Sequence, residues 1–145
     1  VATVDSDLVR DGVLLRYLLS SYSARRLGLE STGNAGGAHN LDVAANASGL
    51  HEMVRGMGTG LVVTEMMGQG ANLLTGDYSR GAAGFWVEKG HIVHPVDGLT
   101  IAGHLPAMYQ AIEAVGADVD KRSHIAMGSL LVGRMMVAGE AGAAA

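Results

Sequence analysis

The 145 residues suffice for one domain with a modest single core, and 48% hydrophobic against 17% charged residues excludes a disordered chain. A formal charge of −4 without a basic stripe argues against nucleic acid as a partner, and no apolar run approaches the ~18–20 residues of a membrane-spanning helix, so no membrane partner is expected. With no cysteine, disulfides and thiolate-bound metal are excluded, and the composition fits a reducing compartment.

Residues Val1–Asp7 have neither a basic region nor an apolar core, so no signal peptide is expected there. The chain opens without Met on what reads as mid-strand, which points to a fragment of a larger protein. Leu8–Leu19 reads as strand, turn, strand, with Asp11-Gly12 as the turn and Val13–Leu19 as a near-continuous apolar, well-buried strand. Ser20–Leu27 is predicted to be a short helix capped by Ser20 or Ser21, closed by Gly28, with Arg25 and Arg26 in the last turn where the helix dipole favours cations. Ser31–Gly37 is small and polar and must be a loop or irregular edge. His39–Ala45 alternates like a strand. Ser48 is the expected cap of a second helix, whose Leu50, Met53, Val54 and Met57 recur at helical spacing before Gly58.

Gly60–Met67 reads as a strand broken by Gly68-Gln69-Gly70. Ala71–Thr75 and Gly81–Glu88 follow as extended pieces, and Lys89-Gly90 turns a hairpin into His91–His94, which Pro95 ends. Val96–Ala102 is a further strand. Leu105–Val115 is predicted to be the third helix, with Leu105, Met108, Ile112 and Val115 on one face and Pro106 in its first turn. Ser123–Ala138 reads as a strand region interrupted by Gly128 and Gly133, and residues 140–145 are expected to be a flexible Ala/Gly tail. Short turns between most neighbouring strands favour an α+β fold: a mixed, mostly antiparallel sheet with about three short helices.

Few side chains are spaced for chemistry. His51-Glu52 begins a zinc-helix pattern, but Met53, Val54, Arg55 and Gly56 follow, and no second His completes it; an exposed polar helix face explains the pair. His91 and His94 would point to opposite sides of a regular strand, so a joint metal site there needs a bulge or turn. His39, His104 and His124 are isolated in sequence. The window Gly76–Gly81 holds Asp77 and Arg80 at a spacing that allows an ion pair across a tight bend, and it also carries Tyr78. It leads into a strand rather than a helix N-terminus, which argues against a phosphate cradle. Eight methionines, among them Met53, Met57, Met66 and Met67, read as flexible core filler, with a sticky peptide-binding or subunit surface as the sharper alternative.

Four long segments in order, Leu18–Gly28, Ser31–Gly37, Met57–Gly70 and Thr75–Glu88, resemble the C-terminal part of the PmbA/TldE-type members of the TldD/PmbA metallopeptidase family, formerly described as modulators of DNA gyrase. The resemblance runs from about Asp11 to Gly139, making residues 1–139 a C-terminal domain. It implies a cytoplasmic zinc metallopeptidase complex that degrades unfolded peptides and removes leaders from ribosomally made peptides such as microcins. In that complex a zinc-bound water attacks the scissile carbonyl, with the Glu of a His-Glu-x-x-x-His motif as base. The motif belongs to the TldD-type partner, where it would lie upstream of the part represented here, and after His51-Glu52 this chain has Gly56 where its second His would fall. The implied role is therefore a supporting subunit, without catalytic or metal-ligating residues of its own and with zinc in the partner. It would form a heterodimer with a TldD-like subunit, or a homodimer, and meet extended peptide substrates. Thr32, Asn34, His39, Asp77, Tyr78 and Arg80, in glycine-rich segments that let backbones approach closely, are the expected substrate or subunit contacts. Two alternatives stand beside this: an independent metallopeptidase with ligands partly outside these residues, and a gyrase-modulating interaction protein.

Overall fold

A computed structural model describes residues 2–139. It is an α+β fold, with three helices and ten strands that pair antiparallel in all but one ladder. The single core expected from length is divided between two compact units. One contains the residues up to Asp42 together with Arg122–Ala126, and the other contains Val43–Lys121 and the residues from Met127 on.

In the first unit, β1 (Val9–Arg10) and β2 (Val13–Leu14) form a hairpin across Asp11 and Gly12. Both turn residues have positive φ, as a two-residue turn matched to strand twist requires. The expected buried strand through Leu19 does not form. β2 stops at Leu14, and Leu14, Leu15 and Tyr17 are each more than half exposed. Apolarity signals a demand for burial, and among the described residues nothing meets it there. Helix α1 (Ser21–Leu27) follows the prediction closely. The Ser20 hydroxyl accepts from the Ser23 amide while the Ser23 hydroxyl accepts from the Ser20 amide, and Gly28 closes the helix in the left-handed region. Ala24 in this helix and Leu19 just before it are buried. Of His39–Ala45 only β3 (Leu41–Asp42) is strand, paired in parallel with β8 (Ile125–Ala126).

The second unit is built on a four-stranded antiparallel sheet in the order β10 (Met136–Ala138), β6 (His91–His104), β5 (Asp77–Glu88), β4 (Gly60–Met67). The β5–β6 turn at Lys89-Gly90 falls where expected, with both residues at positive φ. Pro95 does not end the strand: β6 runs on for 14 residues. Proline lacks a donor, but β10 pairs with β6 only at Thr100–Ala102, so beside Pro95 the outer flank of β6 carries no strand among the described residues. Ala82, Val87 and Ile101 from the sheet, and Met53 and Val54 from α2 (Leu50–Met57), are buried. Gly84 allows β4 and β5 to close: a Cβ on it would lie 1.9 Å from the Val62 carbonyl oxygen.

Helix α2 is capped by Gly49, not Ser48, and Gly49 has no side chain to accept a hydrogen bond. Asp118, from another segment, stands beside that glycine, where a Cβ would lie 3.7 Å from the Asp118 Cβ. The Asp118 carboxylate takes hydrogen bonds from the Ser129 hydroxyl at 2.6 Å and the Ser129 amide at 3.4 Å, and these hold its carboxyl below the usual carboxylate range. The third helix is shorter than predicted. α3 (Leu105–Gln110) ends at Ala111, and Ile112–Val115 becomes β7, paired with β9 (Leu130–Val132). The β-branched Ile112 and Val115 suit a strand, and cross-strand pairing decides what helical spacing left open.

Candidate functional site

The window from Asn72 to Arg80 is a tightly wired turn opening into β5. The Asn72 side-chain oxygen accepts from the Leu74 amide at 2.9 Å and the Thr75 amide at 3.2 Å. The Gly76 amide donates to the Asn72 carbonyl and the Asn72 amide to the Asp77 carbonyl, both at 2.8 Å. Gly76 has φ 81° and leaves no room for a side chain, because a Cβ would lie 2.6 Å from His104 Nε2. That ring nitrogen lies 3.1 Å from the Thr75 carbonyl, which can only accept, so Nε2 is the donor of this hydrogen bond. The turn displays Leu73 and Leu74 at 86% and 98% exposure.

Asp77 and Arg80 do not form the expected ion pair. The segment is regular strand, where residues three apart face opposite sides. Asp77 instead accepts from the Thr75 hydroxyl at 2.6 Å. Arg80 donates through one terminal nitrogen to the Met66 carbonyl at 3.3 Å, while its Nε is buried without a partner. The Tyr78 hydroxyl approaches Met66 Sδ at 3.3 Å. Tyr78 and Arg80 thus share the Met66 end of β4, the edge strand of the sheet. Met66 and Met67 are about half exposed there, so the core-filler reading holds for buried Met53 but not for this pair.

In the first unit, Thr32 is bound to Leu19. Its hydroxyl accepts from the Leu19 amide at 2.7 Å and donates to the Leu19 carbonyl at 3.2 Å, and its own amide donates to the same carbonyl at 3.1 Å. The Asn34 side chain donates to the Gly37 carbonyl at 3.2 Å, closing the loop predicted over Ser31–Gly37. These two residues shape their loop with most of their polar groups. His39 is exposed.

The histidine pair is arranged differently from a regular strand. The β5–β6 register shifts at Trp86/Val87, with Glu88 opposite His91, Val87 opposite Ile92 and Trp86 opposite His94. Directly opposed residues share a face, so the bulge at Val93 brings His91 and His94 to the side that carries Trp86 and Glu88. The bulge a joint site needs is present, and Ile92 and Val93, which suit a regular strand, give no sign of it in the sequence. A third ligand is not: the Glu88 carboxylate accepts from the Trp86 indole N–H at 3.1 Å, and among the described residues no group of three or more His, Asp or Glu is placed to hold a metal ion. His51 and Glu52 lie exposed on α2. The residues described here therefore do not fit a metal centre.

Residues 1–139 match the family model described as the PmbA/TldA metallopeptidase C-terminal domain. The chain is 54% identical over 140 residues to the metalloprotease PmbA of Escherichia coli O157:H7, covering 97% of this chain and 31% of that protein. It is 51% identical to the PmbA homolog of Haemophilus influenzae, covering 96% and 31%. Among solved structures it is similar to a protein of Thermotoga maritima described as a modulator of a DNA gyrase, with a TM-score of 0.85 and 36% identity over 95% of this chain and 34% of that one. A Bacteroides thetaiotaomicron protein of like description gives a TM-score of 0.80 at 27% identity, over 95% and 31%. The chain thus spans about a third of the length of the relatives it matches.

Proposed function

The chain belongs to the PmbA/TldA metallopeptidase family, as its C-terminal domain, and from that premise we propose that it serves a supporting subunit of a peptidase whose metal centre lies in a partner of the same family. The observation that carries this reading is the open outer flank of β4, which has no paired strand among the described residues and can take an extended peptide; His51-Glu52, with Gly56 where a second imidazole is needed, is not a zinc motif. In this reading zinc is held by the TldD-like partner, and the assembly acts in the cytoplasm on unfolded peptides and leader segments.

The sheet supports this reading. β4 lies at its edge, and among the described residues no strand pairs with its outer flank. An extended peptide can add to such an edge through main-chain hydrogen bonds, without a sequence requirement. Asp77, Tyr78 and Arg80 sit on the adjacent strand and are the proposed contacts for peptide or partner, with exposed His39. Thr32 and Asn34 contribute by fixing the shape of their loop. Replacing Asp77→Asn and Arg80→Met singly, with co-purification of the metal-bearing subunit and leader cleavage both measured, tests the assignment. Weakened assembly or slowed cleavage is expected. Unchanged assembly together with unchanged cleavage overturns it.

A further inference from the structure

Within the second unit a groove of about 360 Å³ opens between the end of β6, α3 and the segment entering β10. Its lining is unusual in chemistry. Met108, Met135 and Met136 give it three thioethers, Gly103 leaves one wall bare, and Arg134 contributes a guanidinium. Thioether side chains are flexible and polarizable, and they adapt to apolar groups of different shape. The volume falls in the lower part of the range of small-molecule sites. Gly103 keeps the groove open, since a Cβ there would lie 2.9 Å from Met108 Sδ and 3.0 Å from its Cγ. The floor is fixed by His104, whose ring is held on the Thr75 carbonyl. Arg134 is exposed and makes no hydrogen bond or ion pair among the described residues. Glu113 packs against Gly133 next to it and is not paired with it.

We propose that this groove binds the carboxylate end of a peptide or acylated amino acid, with an apolar side chain among the three methionines and the carboxylate on Arg134. A guanidinium offers two parallel N–H donors that match a carboxylate, while the amide of a peptide bond or a blocked C-terminus presents one acceptor and no charge. The site therefore distinguishes a chain end from a chain interior. The inference does not depend on the peptidase-subunit reading, because binding is a property of this chain alone.

The test uses the intact polypeptide with ¹³C-methyl methionine and follows the methyl resonances by NMR during titration. N-Acetylleucine is expected to shift Met108, Met135 and Met136 and to leave buried Met53 in place, with a Kd on the order of a few mM for a ligand of this size. N-Acetylleucinamide, which lacks the charge, and N-acetylglycine, which lacks the side chain, are each expected to bind about tenfold more weakly or worse. Arg134→Gln, a surface change, should reduce the affinity for N-acetylleucine to that of the amide, and Gly103→Ala should weaken both by pushing Met108 into the groove. Equal affinity for acid and amide, an unaffected Arg134→Gln variant, or no movement of the three methyls at tens of mM would each overturn the proposal. None of these results would bear on assembly or cleavage.

Discussion

Gly84→Ala adds one methyl group to the middle of β5, opposite Val63 of β4. The new Cβ would stand 1.9 Å from the Val62 carbonyl oxygen and 2.9 Å from its carbonyl carbon, where real Cβ contacts keep beyond 3.0 Å. The obstacle is the β4 backbone at Val62 and Val63, not the end of a flexible side chain. The two strands must therefore separate locally, weakening ladder hydrogen bonds next to the buried Ala82 and Val87. Overpacking of this kind costs ~1–3 kcal/mol, and one or two strained ladder bonds bring the expected loss to about 3 kcal/mol. Trp86, two residues away and the chain's one tryptophan, reports the transition by fluorescence. With a urea slope of about 2 kcal/mol per M, the midpoint should fall by about 1.5 M at unchanged slope. Gly36→Ala is the control, because its Cβ meets nothing within 4 Å; it should stay within about 0.5 kcal/mol of the parent. A Gly84→Ala midpoint indistinguishable from that control would refute the close-approach argument.

Three further outcomes follow from the same geometry. Gly56→Ala, inside α2 with open space around its Cβ, should raise stability by about 0.5–1 kcal/mol, measured by the same denaturation. Thr32→Val keeps the shape but removes the hydroxyl that serves both the amide and the carbonyl of Leu19, and should lower stability by about 2 kcal/mol. Asp118→Asn should cost no more than about 0.5 kcal/mol at neutral pH, through weakened hydrogen bonds from the Ser129 hydroxyl and amide to an exposed, solvent-screened carboxylate. The Asp118 carboxyl is lowered in the folded state, so its stabilisation is complete above the unfolded value of about 3.9 and is lost as pH falls from there through the folded value. Unfolding of the parent and the Asn variant from pH 6 down to pH 2 should therefore converge at the acid end, and parallel curves would contradict the assignment.

Local signals were legible where the chain answers only to itself. The two Asp/Lys-Gly turns, the Ser20 cap and the Gly28 stop each depend on neighbouring backbone, and each lies where the residues place it. What the sequence concealed depends on segments far away. The Ser48 carbonyl accepts from the distant Ala117 amide at 3.3 Å, and the cap of α2 falls on Gly49 instead. Ile112–Val115 fits a helix face until β9 claims it as a strand. Pro95 reads as a stop, yet it is tolerated because among the described residues no strand pairs with that flank of β6 beside it. The candidate site shows the same limit. Asp77 and Arg80 looked paired because a bend was expected, and a continuous strand separates them. His91 and His94 looked separated because a regular strand was expected, and a bulge brings them to one face. The family resemblance was readable from four segments whose glycines are needed for turns and close approaches, which also explains why those segments identify the family better than they identify a catalyst.

The supporting-subunit account turns on where the metal sits. The most direct measurement is the zinc content and peptide-cleaving activity of the full-length protein carrying this domain, purified without its family partner. The account predicts zinc far below one per chain, no cleavage by the protein alone, and cleavage on adding the metal-bearing subunit. One zinc per chain together with cleavage by the lone protein would contradict it.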